Sequence, residues 1–257
     1  MVQIIVCIKQ VYDIAGLKVD QKTRSLITER VERKISDFDK NALEEALRTK
    51  EKQGGSVTAV TLGSSAANDA LREALNMGVD EACLIDIGEM GEPDARVTSL
   101  LLAEAIKRIG GFDLLICGEA SVDEYAAQVG PRIAERLGIP LVSHVRKVSV
   151  DGGVVTAERD LEDAIETVEA SMPLLLTVTK EINEPRIPKI TMVIKASKKS
   201  AKVLNARDLG IPFTPSVKVL KALAPETKRK RATIGGKTEE ITENLVRQLL
   251  RDGVVGG

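Results

Sequence analysis

The sequence predicts an α/β protein: an open, mostly parallel twisted sheet with helices on both faces, extended by an antiparallel hairpin region and a C-terminal arm. Three observations predict it. Short continuous apolar runs alternate with segments of helical period through the first half of the chain, the pattern of a parallel sheet covered on both faces. Aromatic residues make up only 2% of the chain and Trp is absent, so the core must be built from Val, Ile, Leu and Ala. Two of the apolar runs end in glycine, at Gly63 and Gly118, where a strand turns toward a helix.

Val2–Ile8 is the first strand. Gln10–Arg33 is irregular, with turn residues and one short β-like stretch. Asp39 then stands as the expected N-cap of a helix over Lys40–Gln53, with Leu43, Ala46 and Leu47 at helical spacing. Ser56–Leu62 is the next strand, and the helix after it carries Leu71, Ala74 and Leu75 on one face. Glu81–Asp86 is a strand, Thr98–Ile109 a helix, Phe112–Cys117 a strand, and the helix around Ala126–Leu137 closes at Gly138, a good residue just past a helix end. Four β-α repeats of this kind build an open parallel sheet.

The second part differs. Val145–Val150 and Val154–Arg159 flank Asp151-Gly152-Gly153, a hairpin signal. Ile165–Ala170 and Leu174–Thr179 are further strands. Pro185, Pro188 and the basic stretch Lys195–Lys202 mark an extended segment. Beyond Gly210 come Pro212, Pro215 and Pro225, a charged linker at Lys228–Arg231, and one amphipathic helix, Glu239–Arg251, with Ile241, Leu245 and Leu249 on one face. One helix cannot bury its apolar face alone. The expected organisation is therefore an α/β domain over residues 1–210 and an arm over 211–257 whose helix packs on a partner.

Composition excludes several function classes. The formal net charge of −1 offers no general attraction to nucleic acid or membrane, and the scarcity of aromatics argues against base-stacking readers. Cys7, Cys83 and Cys117 lie in apolar runs without a CxxC pair, as buried reduced thiols of a cytoplasmic protein do. His144 is the only histidine, too little for a histidine-rich metal site or a His-based triad. No apolar run reaches the length of a membrane span, and no signal-peptide pattern opens the chain.

In open α/β sheets ligands bind beyond the carboxyl ends of the strands, where helix N-termini present free N–H groups. Three segments qualify: Cys7-Ile8-Lys9, Gly63-Ser64-Ser65-Ala66, and Gly118–Pro131 with Asp123, Gln128 and Gly130. Small residues there let phosphate oxygens approach the backbone, and Gln128 offers both a donor and an acceptor. No GxGxxG or Walker A motif is present, so the glycines also fit a purely structural strand-to-helix turn. The carboxylate pairs Asp37/Asp39 and Asp160/Glu162 read as caps and solvated faces rather than as an acid–base pair. Lys195, Lys198, Lys199 and Lys202 read either as a solvated face or as a docking surface for an acidic partner or a phosphate.

Longer stretches carry a resemblance. Ile4-Ile5-Val6-Cys7-Ile8-Lys9-Gln10-Val11, Phe38-Asp39 followed by Ala42-Leu43-Glu44-Glu45-Ala46, and Ala74-Leu75-Asn76-Met77-Gly78-Val79-Asp80 stand in one order. Val122-Asp123 with Ala127-Gln128-Val129-Gly130-Pro131, Asn183-Glu184-Pro185-Arg186, and Asp208-Leu209-Gly210 continue it. Together, over roughly residues 1–210, these resemble the beta subunits of electron-transfer flavoproteins.

The resemblance implies an adenine nucleotide alpha hydrolase-like fold and a heterodimer with an alpha subunit that carries FAD. It implies a second nucleotide in this chain: FAD in electron-bifurcating members, which takes a hydride from NADH, or structural AMP in members that serve dehydrogenases. Matched by position, the nucleotide would contact Cys7, Ser36, Asp37, Phe38, Asp39, Leu62, Gly63, Asp123, Ala127, Gln128, Val129, Gly130 and Pro131. Ala127-Gln128-Val129-Gly130-Pro131 and Cys7-Ile8-Lys9-Gln10-Val11 are similar to the bifurcating type, so FAD is the favoured nucleotide and AMP the alternative. Ser36-Asp37 in place of Asn-Pro, Glu119 in place of Arg and Tyr125 in place of Asp depart from the family's pattern. Glu166 matches a carboxylate at the subunit boundary, Glu184 lies at the start of the family's recognition loop, and its apolar anchor falls on Ile190. The implied partners are the alpha subunit and a dehydrogenase or quinone-oxidoreductase-type protein. The remaining alternative is a nucleotide-sensing module without a redox role.

Overall fold

The computed structural model describes residues 1–225 and 231–255. The expected charged linker, apart from Arg231, lies outside the described residues.

Strand β1 spans Val2–Ile8. The irregular segment after it holds four short strands, β2 (Gln10–Tyr12), β3 (Lys18–Val19), β4 (Leu26–Ile27) and β5 (Arg33–Ile35), where one β-like stretch was expected. They pair as two small antiparallel hairpins, β2 with β5 and β3 with β4. Helix α1, Asp37–Gln53, starts from Ser36 rather than from Asp39. Asp39 lies inside the first turn, and its carboxylate reaches out of the helix to the ends of two strands, as described below. Strand β6 (Gly55–Gly63), helix α2 (Asn68–Met77) and strand β7 (Glu81–Asp86) follow the expected order. Helix α3, Ala95–Ile109, begins before its apolar stripe because Asp94 caps it, accepting from Val97 N at 2.9 Å. After β8 (Leu114–Gly118), helix α4 covers only Val129–Leu137. Its expected first residues are not helical, since Ala127 has φ 52°. Gly138 closes α4 in the left-handed conformation.

The antiparallel part comprises β9 (Leu141–Asp151), β10 (Val154–Asp160) and β11 (Ile165–Ser171). The turn residues Gly152 and Gly153 both have positive φ, the backbone that a tight hairpin requires. Strand β12 (Leu174–Val178) returns to the parallel sheet. The segment expected to be extended instead contains a short helix, α5 (Ile190–Ala196), and a last strand, β13 (Lys202–Asn205). Part of the basic stretch is engaged: Lys199 Nζ donates to the carbonyls of Val79 and Asp80, both at 2.9 Å. Helix α6 is Thr238–Arg251.

Nine strands form one sheet in the order β11-β10-β9-β12-β8-β1-β6-β7-β13. The run from β12 to β13 is parallel, and β12 is also parallel to β9. Side chains alternate across β1: Ile4, Val6 and Ile8 join the core under α1 and α2, while Ile5 and Cys7 join the core under α3 and α4. The strands are buried on both faces, which explains why they read as unbroken apolar runs. By contrast, α6 has no buried residue. Among the described residues no helix is long and apolar enough to cross a membrane.

Candidate functional site

Strand order reverses at β1: the chain proceeds outward through β6 and β7 on one side and through β8 and β12 on the other. The carboxyl ends of β1 and β8 therefore flank a topological switch point, where open α/β sheets hold their ligands. A cleft of about 500 Å3 opens there. Of the residues expected to meet a nucleotide, Cys7, Asp39, Leu62, Gly63, Asp123, Ala127, Gln128, Val129 and Gly130 all line it.

Asp39 shapes the floor. Its Oδ2 accepts from Lys9 N at 2.8 Å, and its Oδ1 accepts from Gly118 N at 3.2 Å. One buried carboxylate thus ties the end of β1, the end of β8 and the start of α1 together. Burial raises its pKa to about 7, and the two backbone donors only partly oppose this. Gly118 is required at the joint, because a Cβ there would lie 2.5 Å from Asp39 Oδ1 and 2.7 Å from Phe38 Cβ.

The third loop forms the outer wall. Lys9 Nζ pairs with Asp123 at 2.8 Å and with Glu124 at 3.4 Å. Although burial acts against it, the hydrogen bonds from Lys9 and Ser121 hold the Asp123 carboxyl below the usual range. Tyr125 and Ala127 have φ of 50° and 52°, left-handed backbone that costs energy in residues with a Cβ. The first turn of α4 follows, where backbone N–H groups lack helical partners and favour an anion. Gln128 Oε1 accepts from Arg132 Nη2 at 3.0 Å, which fixes the side chain at the cleft mouth.

Gly130 lines the cleft, yet a Cβ on it would lie 2.7 Å from Thr177 Cγ2. The glycine therefore serves the close approach of α4 to β12, not only ligand access. Ser36, Asp37, Phe38 and Pro131 do not line the cleft, though Phe38 lines the neighbouring cavity. Ser36 is buried, and its Oγ accepts from Val122 N at 3.3 Å, anchoring the third loop. Asp37 pairs with Lys34 at 3.1 Å and Lys180 at 3.5 Å. Pro131 falls in the first turn of α4, where its missing N–H costs nothing.

The far wall was not anticipated. Tyr12, Arg33, Gly88, Gly91, Glu92 and Pro93 extend the cleft past β6 to the loop after β7. The Arg33 guanidinium lies 4.8 Å over the Tyr12 ring and donates to its hydroxyl at 2.8 Å. The glycines and proline after Asp86 were the available signal, since they punctuate a third strand end. A second cavity lies beside the first, lined by Phe38, Tyr125, His144 and Lys180. Glu119 borders both cavities and sits 3.6 Å from His144 Nε2.

The partner-docking candidates lie elsewhere. Glu166 is on β11 and pairs with Arg159 at 2.9 Å. Asn183-Glu184-Pro185-Arg186 is fastened to α1. The Arg186 Nε donates to buried Glu44 at 2.7 Å, Asn183 Nδ2 to Glu45 at 3.1 Å, and the Glu184 carbonyl accepts from Arg48. Ile190 opens α5 and is 78% exposed, next to Ile187 at 89%.

A parallel sheet with a cleft at its switch point places the chain among doubly wound α/β proteins. The family model for the electron transfer flavoprotein domain matches residues 23–209. The chain is 42% identical to "Electron transfer flavoprotein subunit beta" of Thermoanaerobacterium thermosaccharolyticum, over 96% of this chain and 97% of that one. It is 40% identical to the protein of the same description from Clostridium acetobutylicum, over 96% and 97% of the two chains. It is 34% identical to "Caffeyl-CoA reductase-Etf complex subunit CarD" of Acetobacterium woodii, over 98% of this chain and all of that one. The chain belongs to the electron transfer flavoprotein beta subunit family.

Proposed function

We propose that this chain is the beta subunit of a heterodimeric electron-transfer flavoprotein, that its cleft holds FAD, and that it works with NADH in flavin-based electron bifurcation. The observation that carries the nucleotide reading is the convergence of three strand-end loops on one cleft at the switch point. The spread of its lining, from the start of α4 to Tyr12 and Glu92, supports a ligand longer than a mononucleotide. A bound flavin supplies the hydride and single-electron chemistry. This chain supplies position. Asp39 fixes the floor, the first turn of α4 offers N–H groups to phosphate, and Gln128 is held at the mouth by Arg132.

One observation favours AMP as the second reading. Lys9 is committed to Asp123, and Glu92, Glu119 and Glu124 also line the cleft, a wall better matched to one phosphate than to a pyrophosphate. In that case the protein serves dehydrogenases without bifurcation. The partners in either reading are an alpha subunit, met by the α6 arm and the Glu166 edge, and a dehydrogenase or quinone-oxidoreductase-type protein met at Ile190. The three buried free cysteines support a reducing, cytoplasmic location. Co-expression with the alpha subunit, followed by extraction and counting of nucleotides, tests the reading. Two FAD per heterodimer supports bifurcation, one FAD with one AMP supports simple transfer, and an empty beta cleft sinks both.

A further inference from the structure

We propose that Cys7 and Cys117 form a vicinal dithiol on the floor of the cleft, which captures trivalent organoarsenicals as a bidentate ligand when no nucleotide covers it. The two residues are register partners on adjacent parallel strands, Cys7 on β1 opposite Cys117 on β8. Neighbouring strands lie about 5 Å apart and register partners point to the same face, so both side chains project side by side. Each is almost enclosed by protein, 7% and 5% exposed, and both border the cleft. The cleft is thus their route to solvent. Cys83 sits on β7, opposite Val60 of β6, and does not border the cleft. Three cysteines therefore present one matched pair and one isolated thiol.

The chemistry selects the ligand class. The neighbouring Cys7 thiol and burial push the Cys117 thiol well above its ordinary range. Reagents that need a thiolate are therefore disfavoured at this position. An arsenoxide, R–As=O, condenses with two thiols instead. Two As–S bonds form, both thiol protons leave with the oxygen as one water, and arsenic remains trivalent, so no oxidant or reductant enters. Closing one ring across two strands already held side by side costs little chain entropy, which favours this pair over any single thiol.

The capture itself stands on the strand register. Its suppression by nucleotide rests on the reading of the cleft under Proposed function. The test treats the folded full-length chain, stripped of nucleotide, with phenylarsine oxide, and follows intact mass and thiol titration. One adduct per chain is expected, with titratable thiols falling from three to one. The adduct should resist a monothiol and be removed by 2,3-dimercaptopropanol. Cys83→Ser should leave capture unchanged. Cys7→Ser and Cys117→Ser should each lose the monothiol-resistant adduct, with circular dichroism confirming the fold. Failure of the folded wild-type chain to take up one arsenical, or a monothiol-resistant adduct that survives in Cys7→Ser, overturns the proposal. Saturating FAD or AMP should slow capture at least tenfold. Capture at equal rates with and without either nucleotide upholds the dithiol and counts instead against nucleotide binding in this cleft.

Discussion

Helices α2 and α6 carry the same kind of apolar stripe and meet opposite fates. In α2, Ala70, Leu71, Ala74 and Leu75 are buried against the sheet. In α6, Leu245, Val246 and Leu250 are 44%, 49% and 52% exposed, and no residue is buried. Periodicity states that a helix has an apolar face but not what covers it. Where the strands β6 and β7 lie next to the helix in sequence, the chain supplies the cover itself. Where a proline-bearing segment with Pro212, Pro215 and Pro225 precedes the helix, no strand of the sheet among the described residues adjoins it in sequence and its stripe is left open.

The contrast is broken or sharpened most directly at Leu71. Leu71→Ala should destabilise the isolated chain by about 3 kcal/mol, the cost of a cavity in a close-packed core. Urea unfolding measures it, and a loss below about 1 kcal/mol would mean that α2 is no better anchored than α6.

The next largest effect belongs to Arg186. Its ion pairs with Glu44 and Glu51 tie the α5 region to α1. Although burial acts against it, the hydrogen bonds from Arg186 and Arg48 hold the Glu44 carboxyl below its ordinary range. Arg186→Ala leaves Glu44 buried with Arg48 alone, and should cost about 2 kcal/mol after allowance for the partial exposure of the guanidinium. A depressed carboxylate pKa contributes stability above its unfolded value and loses it as pH falls through the folded one. The wild type and Arg186→Ala should therefore converge in stability as the solution is acidified below about pH 4. A constant difference down to acid pH would assign the loss to packing instead.

Asp39 has the opposite sign. Burial raises its folded pKa to about 7, above the unfolded carboxylate value. Its contribution is therefore fully present below the unfolded pKa and is lost as pH rises through about 7. Asp39→Asn should flatten the melting temperature between pH 5 and 8, as read by thermal scans, and should cost about 1 kcal/mol at the acid end, since an amide replaces one of two acceptors. An unchanged pH profile would move the titrating group elsewhere.

The smallest effect is expected on the exposed stripe. Leu245→Ala should shift the isolated chain by less than about 0.5 kcal/mol. The same variant should weaken association with an alpha subunit, measured by calorimetry. Strong destabilisation of the isolated chain would show that α6 is covered by its own domain.

Legibility in the sequence followed the same divide. Strands buried on both faces announced themselves as apolar runs, and Val2–Ile8 and Glu81–Asp86 were located to the residue. Strand β13 was not visible, because Lys202-Val203-Leu204-Asn205 has no pattern of its own and is a strand only through pairing with β7. Helix α5 was hidden by its proline-rich approach and held by distant contacts, with the Ala196 carbonyl accepting from Arg72 at 3.0 Å. At the cleft, the segment ending β1 was legible as the end of an apolar run, and those ending β6 and β8 from small residues at Gly63 and Gly118. Asp39 was read as a helix cap because an acidic residue before an apolar stripe usually is one. Its bonds to Lys9 and Gly118 span 30 and 79 positions, and no local pattern encodes such a reach. Tyr12 and Arg33 meet across a hairpin for the same reason.

The position of β12 has a consequence for how the polypeptide emerges during synthesis. This strand, made after the whole β9–β10–β11 meander, lies between β8 and β9 and joins that meander to the parallel sheet by strand pairing. Until Leu174–Val178 has left the ribosome, Leu114, Leu115 and Ile116 of β8 have an open flank. At typical elongation rates the stretch from Gly118 to Val178 takes roughly three to twelve seconds to make. For that time the nascent chain presents an apolar strand edge of the kind that chaperones cover, and the five residues of β12 close it by pairing with β8 on one side and β9 on the other.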